Sequence, residues 1–137
     1  MNNKKLTITI LILALVAGAV WIFKAENTNK PQSEREKFFS KDQISSSDVV
    51  IRQTESGYEP ETITIKKGQR VVWVNETNTF IWPASNLHPT HNIYPEFDPR
   101  EPFDKGMAWS FTFDEVGEWS FHDHLKPNRR GMVKVEE

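Results

Sequence analysis

The chain has no cysteine. That absence excludes disulfides, thiolate metal ligands, a cysteine nucleophile and a lipidated N-terminal cysteine. Any metal must be held by histidine, carboxylate, methionine or backbone oxygen. Basic surplus is also missing: 17 Lys and Arg against 19 Asp and Glu give a net charge of −2, so there is no excess cation to displace counterions from a phosphate backbone, and nucleic acid is set aside as a partner. Large rings, in contrast, are plentiful. Five Trp and nine Phe in 137 residues supply much buried area per residue, as a small sandwich requires.

The only long apolar run is at the start. Lys4 and Lys5 precede an uncharged stretch from Leu6 to Phe23, about the 18 residues that a membrane-spanning helix needs at minimum. Ala17-Gly18-Ala19 resembles a signal-peptidase site, which gives a cleaved-signal reading with export of the mature chain. Val20, Trp21, Ile22 and Phe23 prolong the run past that site and favour a retained anchor, with Trp21 at an interfacial position. Residues 1–24 are therefore expected to be a signal-anchor in the cytoplasmic membrane, its N-terminus inside and the rest of the chain outside, as the preceding lysines direct. Residues 25–47, polar apart from Phe38, Phe39 and Ile44, are expected to be a linker too poor in apolar groups to build a core. Residues 48–137 are left as one domain.

That domain reads as all-β. Val49-Val50-Ile51 is a first short β-branched run, and Thr62 to Ile65 alternates polar with apolar side chains. After the turn Lys66-Lys67-Gly68-Gln69, Arg70 to Val74 returns as a more buried strand, and the two are expected to form a hairpin-like pair. Met107, Trp109, Phe111 and Phe113 share one face of a further strand. Glu118 to His122 and Met132 to Val135 complete the series. Trp73, Trp82, Trp109, Phe111, Phe113, Trp119 and Phe121 are the candidate core rings, with Trp82 placed to line a pocket. Between Glu76 and Gly106 five prolines exclude a regular central strand, and the rings in this long loop argue for order and function.

Gly57-Tyr58-Glu59-Pro60-Glu61-Thr62-Ile63-Thr64-Ile65-Lys66-Lys67-Gly68 followed by Val72-Trp73-Val74-Asn75 resembles the opening of cupredoxins. The closing stretch, with Gly117, Trp119, Phe121, Pro127, Gly131 and Val133 in register, resembles that family's last two strands. The resemblance implies a Greek-key β-sandwich of the plastocyanin and azurin type. It does not bring the family's blue-copper ligands with it, because the two His, Cys and Met positions are occupied by Ile81, Lys126, Asp123 and Arg129. Two imidazoles and a thiolate are what that centre needs. A charge pair between Asp123 and Lys126 or Arg129 is the expected replacement.

All four histidines nevertheless fall in two clusters, His88-Pro89-Thr90-His91 and His122-Asp123-His124. On a strand, residues two apart share a face, so His122 and His124 can offer two imidazoles to one ion while Asp123 points away. The fold implied by the resemblance brings the long loop and the end of the His122 strand to the same end of the sandwich. The segment Trp82 to His91, together with His122-Asp123-His124-Leu125, also resembles a bacterial cupredoxin-like subgroup that lacks the blue site, whose members carry His at the position of Ile81. His-Asp-His is in addition similar to the His-Cys-His of multicopper oxidases, although their copper cluster needs further domains. The expected metal ligands are His88, His91, His122 and His124, for Cu(II) first and zinc second, since imidazole serves both and Cu(II) heads the affinity order. Glu96, Asp98, Asp104 and Met107 are secondary candidates.

Three functions fit these residues. One is extracytoplasmic copper handling through histidines without blue-copper electron transfer; the second is a metal-free interaction module on the same scaffold, its protein partner unspecified; the third is a mononuclear copper oxidoreductase. The third is disfavoured, because no general-base constellation is recognisable.

Overall fold

The computed structural model describes residues 37–137. The expectations for residues 1–24 and for 25–36 lie outside the described residues. Among those described, no helix is long and apolar enough to cross a membrane.

The described chain forms nine strands: β1 (Phe39–Ser40), β2 (Val49–Gln53), β3 (Tyr58–Glu59), β4 (Thr62–Lys66), β5 (Arg70–Asn75), β6 (Pro83–Ser85), β7 (Met107–Thr112), β8 (Gly117–Asp123) and β9 (Lys126–Glu136). They build two mixed sheets, ordered β1-β7-β5-β2-β3 and β4-β9-β8-β6. The all-β sandwich is thus as expected. The hairpin-like pairing of β4 with β5 is not: β4 runs parallel to β9, and β5 lies between β2 and β7 in the other sheet. The turn between them crosses from one sheet to the other, since Lys67 N donates to Glu136 O in one sheet's last strand while Gly68 N donates to Phe113 O beyond the end of β7. Gly68 turns there with φ of 81°, a conformation that glycine adopts freely.

Alternation along β7 works as read. Trp109 and Phe113 enter the main core with Met107 and Phe111 packed against it. Trp73 of β5 lies at its centre, fully buried, with ring centroids 4.9 Å from Phe97, 5.4 Å from Trp109 and 5.6 Å from Phe121. Trp119 is only half-buried; it packs on Tyr94 and donates its indole N–H to Glu115 O.

The outer face of the first sheet, where Val72, Val74 and Ala108 are buried, is covered by Phe39, Ile44 and Val50. Phe38 stacks on Phe103 at 5.1 Å, and β1 pairs with β7. A short 3-10 turn at Lys41–Gln43 follows, capped reciprocally by Ser40 and Gln43. The apolar groups of the segment expected to be a linker therefore belong to the folded domain from Phe38 onward. Too few to make a core of their own, they complete one that the sheet already presents.

The long loop after β5 is ordered from within. The Asn75 side chain, fully buried, donates to Thr79 O and Phe103 O and accepts from Thr77. Further on, Tyr94 and Phe97 enter the main core, and Ser85 N donates to Phe97 O. The short β6, pairing only with β8, occupies the sheet edge where proline is tolerated.

Gly131 of β9 sits where Phe121 crosses over it. A Cβ there would strike the Phe121 ring and come within 2.9 Å of Glu61 O. Gly131→Ala is expected to destabilise the domain by about 1 to 3 kcal/mol, the usual cost of overpacking, whereas Lys67→Ala on the exposed turn should cost under about 0.5 kcal/mol. Chemical denaturation of the two variants checks the register of β8 on β9.

Candidate metal centre

Strand β8 decides which side chains meet. Phe121 points into the core, and its neighbour His122 points to the outer face, where the loop after β6 covers it until 1% of its surface is exposed. Asp123, next in the alternation, points inward again and its Oδ2 accepts from Gln53 Nε2 of the opposite sheet at 2.6 Å. His124 and Leu125 form the turn into β9.

Asp123 makes no ion pair with Lys126 or Arg129, so the expected charge pair is absent. Lys126 Nζ donates to Thr79 Oγ1, and Arg129 donates to Thr54 O and Glu55 O and pairs with the Glu55 carboxylate. The physical reason is reach and competition: the fully buried carboxylate is already spent on N–H groups. Besides Gln53, its Oδ1 accepts from Trp82 N and Leu125 N, both at 3.1 Å. One carboxylate thus fastens β6 to the turn that carries His124, the short-range backbone bonding that Asp favours in turns. Ile81, fully buried, forms an isolated bridge with Phe103. These positions do not fit a blue-copper ion: Ile81 offers no donor atom, and the carboxylate at 123 is committed to the Trp82 and Leu125 backbone and the Gln53 side chain. Burial, then the nearby Asp123 carboxylate, pushes the Tyr58 phenol well above its ordinary range.

On the outer side of the same strand four histidines meet: His122 of β8, His124 of the following turn, and His88 and His91 of the loop after β6. His88, His91, His122 and His124 each bring one ring nitrogen to within 4.8 Å of the others. The supports differ ring by ring. His122 Nδ1 lies 2.8 Å from Asn86 Oδ1, and Asn86 is itself oriented by its donation to Ser120 Oγ. His91 Nδ1 lies 2.7 Å from Asp98 Oδ2. With oxygen acceptors on both Nδ1 atoms, the partners assign the proton to Nδ1 and leave the Nε2 lone pairs of His91 and His122 facing the cluster. His88 Nδ1 is 3.2 Å from His122 Nε2, and His124 Nδ1 is 2.9 Å from His91 Nε2. Trp82 completes the wall, its ring 4.4 Å from that of His124 and its indole N–H donating to Asp98 Oδ1.

From the sequence Asp98 is only a secondary ligand candidate. Its place is behind His91 instead, where it also accepts from Arg100 N. Burial opposes its ionisation, but the hydrogen bonds from His91, Trp82 and Arg100 outweigh that and hold its carboxyl below the usual carboxylate range. Glu96 and Asp104 are exposed, and Met107 packs against the core. Asn86 went unnoticed; the signal available was an amide shortly before the first His of a paired cluster. His91 takes a left-handed conformation, φ 51°, unusual for a residue with a side chain and met most often where a site holds it.

Desolvation, then the neighbouring His91, His88 and His124 rings, lowers the His122 pKa to about 4. Burial, then the His91 and His88 rings, lowers that of His124. These rings are kept neutral, the form in which imidazole binds metal.

No model of a known protein family matches the chain. Amicyanin of Paracoccus denitrificans is 28% identical over 99 residues, covering 72% of each chain. Among solved structures, a reduced amicyanin variant superposes with a TM-score of 0.65 at 24% identity, over 75% of this chain and 95% of that one. A purple cupredoxin from Nitrosopumilus maritimus gives 0.57 at 23% identity, over 65% of this chain and all of the other. The domain has the cupredoxin fold. This cupredoxin-like domain gathers its imidazoles beside the outer face of β8, where His122 lies, and leaves the inward position to Asp123.

Two outcomes follow for the metal-free protein. Asp123→Ala strands the buried N–H groups of Trp82 and Gln53, and at about 1 to 3 kcal/mol for each unsatisfied donor the loss in chemical denaturation should reach about 3 kcal/mol; a loss below about 1 kcal/mol would show that the carboxylate does not hold the turn. For pH, the His122 pKa is depressed in the folded state relative to about 6.5 unfolded. The unfolded chain therefore binds the extra proton between those values, so stability is full above pH 6.5 and falls as pH drops toward about 4. His122→Asn should flatten that part of the stability curve.

Proposed function

We propose that the domain binds copper(II) through His88, His91, His122 and His124 and handles the ion outside the cytoplasm, without relaying electrons as a blue-copper protein does. One observation carries this reading: four imidazole nitrogens within 4.8 Å of one another, two of them backed by oxygen acceptors that fix the tautomer. Relatives of the same fold include amicyanin, solved in a Cu(I) form. An all-nitrogen donor set suits Cu(II), then zinc, and Trp82 with the buried His122 shields one side of the cluster from competing water. The chain's residues supply neutral donors, orient them and exclude solvent; the ion, when bound, is stabilised in a nitrogen field without the sulfur bond that gives blue centres their colour. Residues 1–24 are proposed to remain as an anchor in the cytoplasmic membrane, which would hold the site at its outer surface.

A metal-free interaction module is the second reading. It is favoured by one feature, that the four rings already satisfy one another by hydrogen bonds.

Cu(II) added to the purified protein should bind at one ion per chain, with weak ligand-field colour and nitrogen hyperfine structure in the EPR spectrum. Binding should weaken as pH falls through about 6.5, because protons then compete for the ring nitrogens. Replacing His122 and His124 together should abolish it. Full affinity after loss of all four histidines would leave the interaction module as the better account. Cell fractionation addresses the anchor: the chain should sediment with membranes, and release with a new N-terminus near Val20 would establish cleavage instead.

A further inference from the structure

The four histidines are not held alike, and the differences run in one direction. His122 and His91 are 1% and 5% exposed, and each has an acceptor behind it, Asn86 and Asp98. His124 is half-buried, its ring lies 4.4 Å from that of Trp82, and its backbone N–H donates to Trp82 O. Asp123 clamps the same turn through Leu125 N. His88 is exposed. Its ring meets the rings of His122 and His124, and among the described residues no oxygen acceptor lies behind it. Its neighbour Leu87 is 57% exposed, and Leu125 beside His124 is 45% exposed.

Three imidazoles are thus set by packing and hydrogen bonds before any ligand arrives, while the fourth must be ordered by binding. A ring without a supporting acceptor loses more freedom on ligation, so it is the weakest donor of the set. It is also the one that solvent reaches most freely. Among the described residues, the His88 side is the one along which a donor from outside can approach the centre.

We propose that His88 is the exchangeable ligand of the four-imidazole centre, the position where a neutral nitrogen donor from outside, such as a histidine side chain of a protein that delivers or receives the ion, takes its place. The inference rests on the copper-binding reading above and adds to it a direction of access and a class of partner group. The exchange needs no electron transfer: one nitrogen donor replaces another and the freed His88 ring turns to solvent, its hydrogen bond to His122 Nε2 re-forming only after the ion has left that nitrogen. The exposed Leu87 and Leu125 border the opening and give an incoming segment apolar surface beside the site.

The test uses the full chain, Cu(II) and imidazole as the probe. His88→Ala should retain Cu(II) with affinity lowered by about 10- to 100-fold, no more than the loss of an outer-shell partner costs, and millimolar imidazole should restore the wild-type EPR spectrum and ligand-field band. His91→Ala and His122→Ala should not be restored, since their positions are closed to solvent. Restoration of a buried variant to the same degree would overturn the proposal, as would failure of imidazole to act on His88→Ala or complete loss of Cu(II) from that variant. The comparison of His88→Ala with and without imidazole stands even where a buried variant does not fold. Failure of the wild-type chain itself to bind Cu(II) would overturn the underlying reading, a result distinct from all of these.

Discussion

The two-residue period of a single strand governs both faces of the site. Because β8 sends Phe121 and Asp123 inward and His122 outward, one strand serves the core and the histidine cluster at once, and neither can shift register without dismantling the other. The inward position nearest the sandwich end belongs to a carboxylate that accepts from two backbone N–H groups and from the Gln53 side chain. The register irregularity between His122 and Asp123 lies where the strand passes from regular pairing with β9 to the turn that carries His124.

The long loop obeys the same division of labour by a different means. Tyr94 and Phe97 enter the core, and the segment between them and β6 lies over the outer face of β8, so the rings that order the loop are not the rings that build the centre. Asp98 joins the two. It directly follows Phe97, whose position the core fixes, and its oxygens reach Trp82 and His91. An aromatic anchor in the core therefore sets the orientation of an imidazole on the surface, which is how a proline-rich loop can hold a ligand as firmly as a strand does.

What could be read from the residues was what has a period or a paired spacing. The runs at β2, β4, β5, β7 and β8 announce themselves by alternation, and the two histidine pairs by their spacing. The partner of β4 could not be read, because a turn of Lys67, Gly68 and Gln69 looks the same whether it closes a hairpin or crosses between sheets. β1 escaped because two aromatic residues in a polar stretch carry no alternation; their role depends on an apolar face elsewhere in the chain. Asp123 was read as a charge in search of a countercharge, whereas a carboxylate beside a tight turn is satisfied by amide hydrogens. Asn86 and Asp98 escaped as positioning groups for a related reason: a supporting acceptor is defined by the ring it touches, 36 and 7 residues away in the chain.

The metal-free cluster has a logic of its own. Read through the acceptors, the rings form two chains, His88 to His122 to Asn86 and His124 to His91 to Asp98, each Nδ1–H donating to the next group and each chain ending on a side-chain oxygen. Every Nδ1 hydrogen is then used, so the domain can fold and persist without metal, unlike a site whose buried donors would be left unsatisfied. The cost falls on binding instead. The lone pairs of His91 and His122 are already aimed inward, but His88 and His124 must surrender the Nδ1 hydrogen that joins the two rings of each chain before they can offer that nitrogen to an ion. The exposed ring can change tautomer through water, Nε2 taking a proton as Nδ1 gives one up, and the half-buried one does so against the stacking of Trp82. On the copper reading proposed above, such a cluster would hold an ion by four donors and keep a satisfied state to return to, which is the property a protein needs if it is to release an ion as well as bind it.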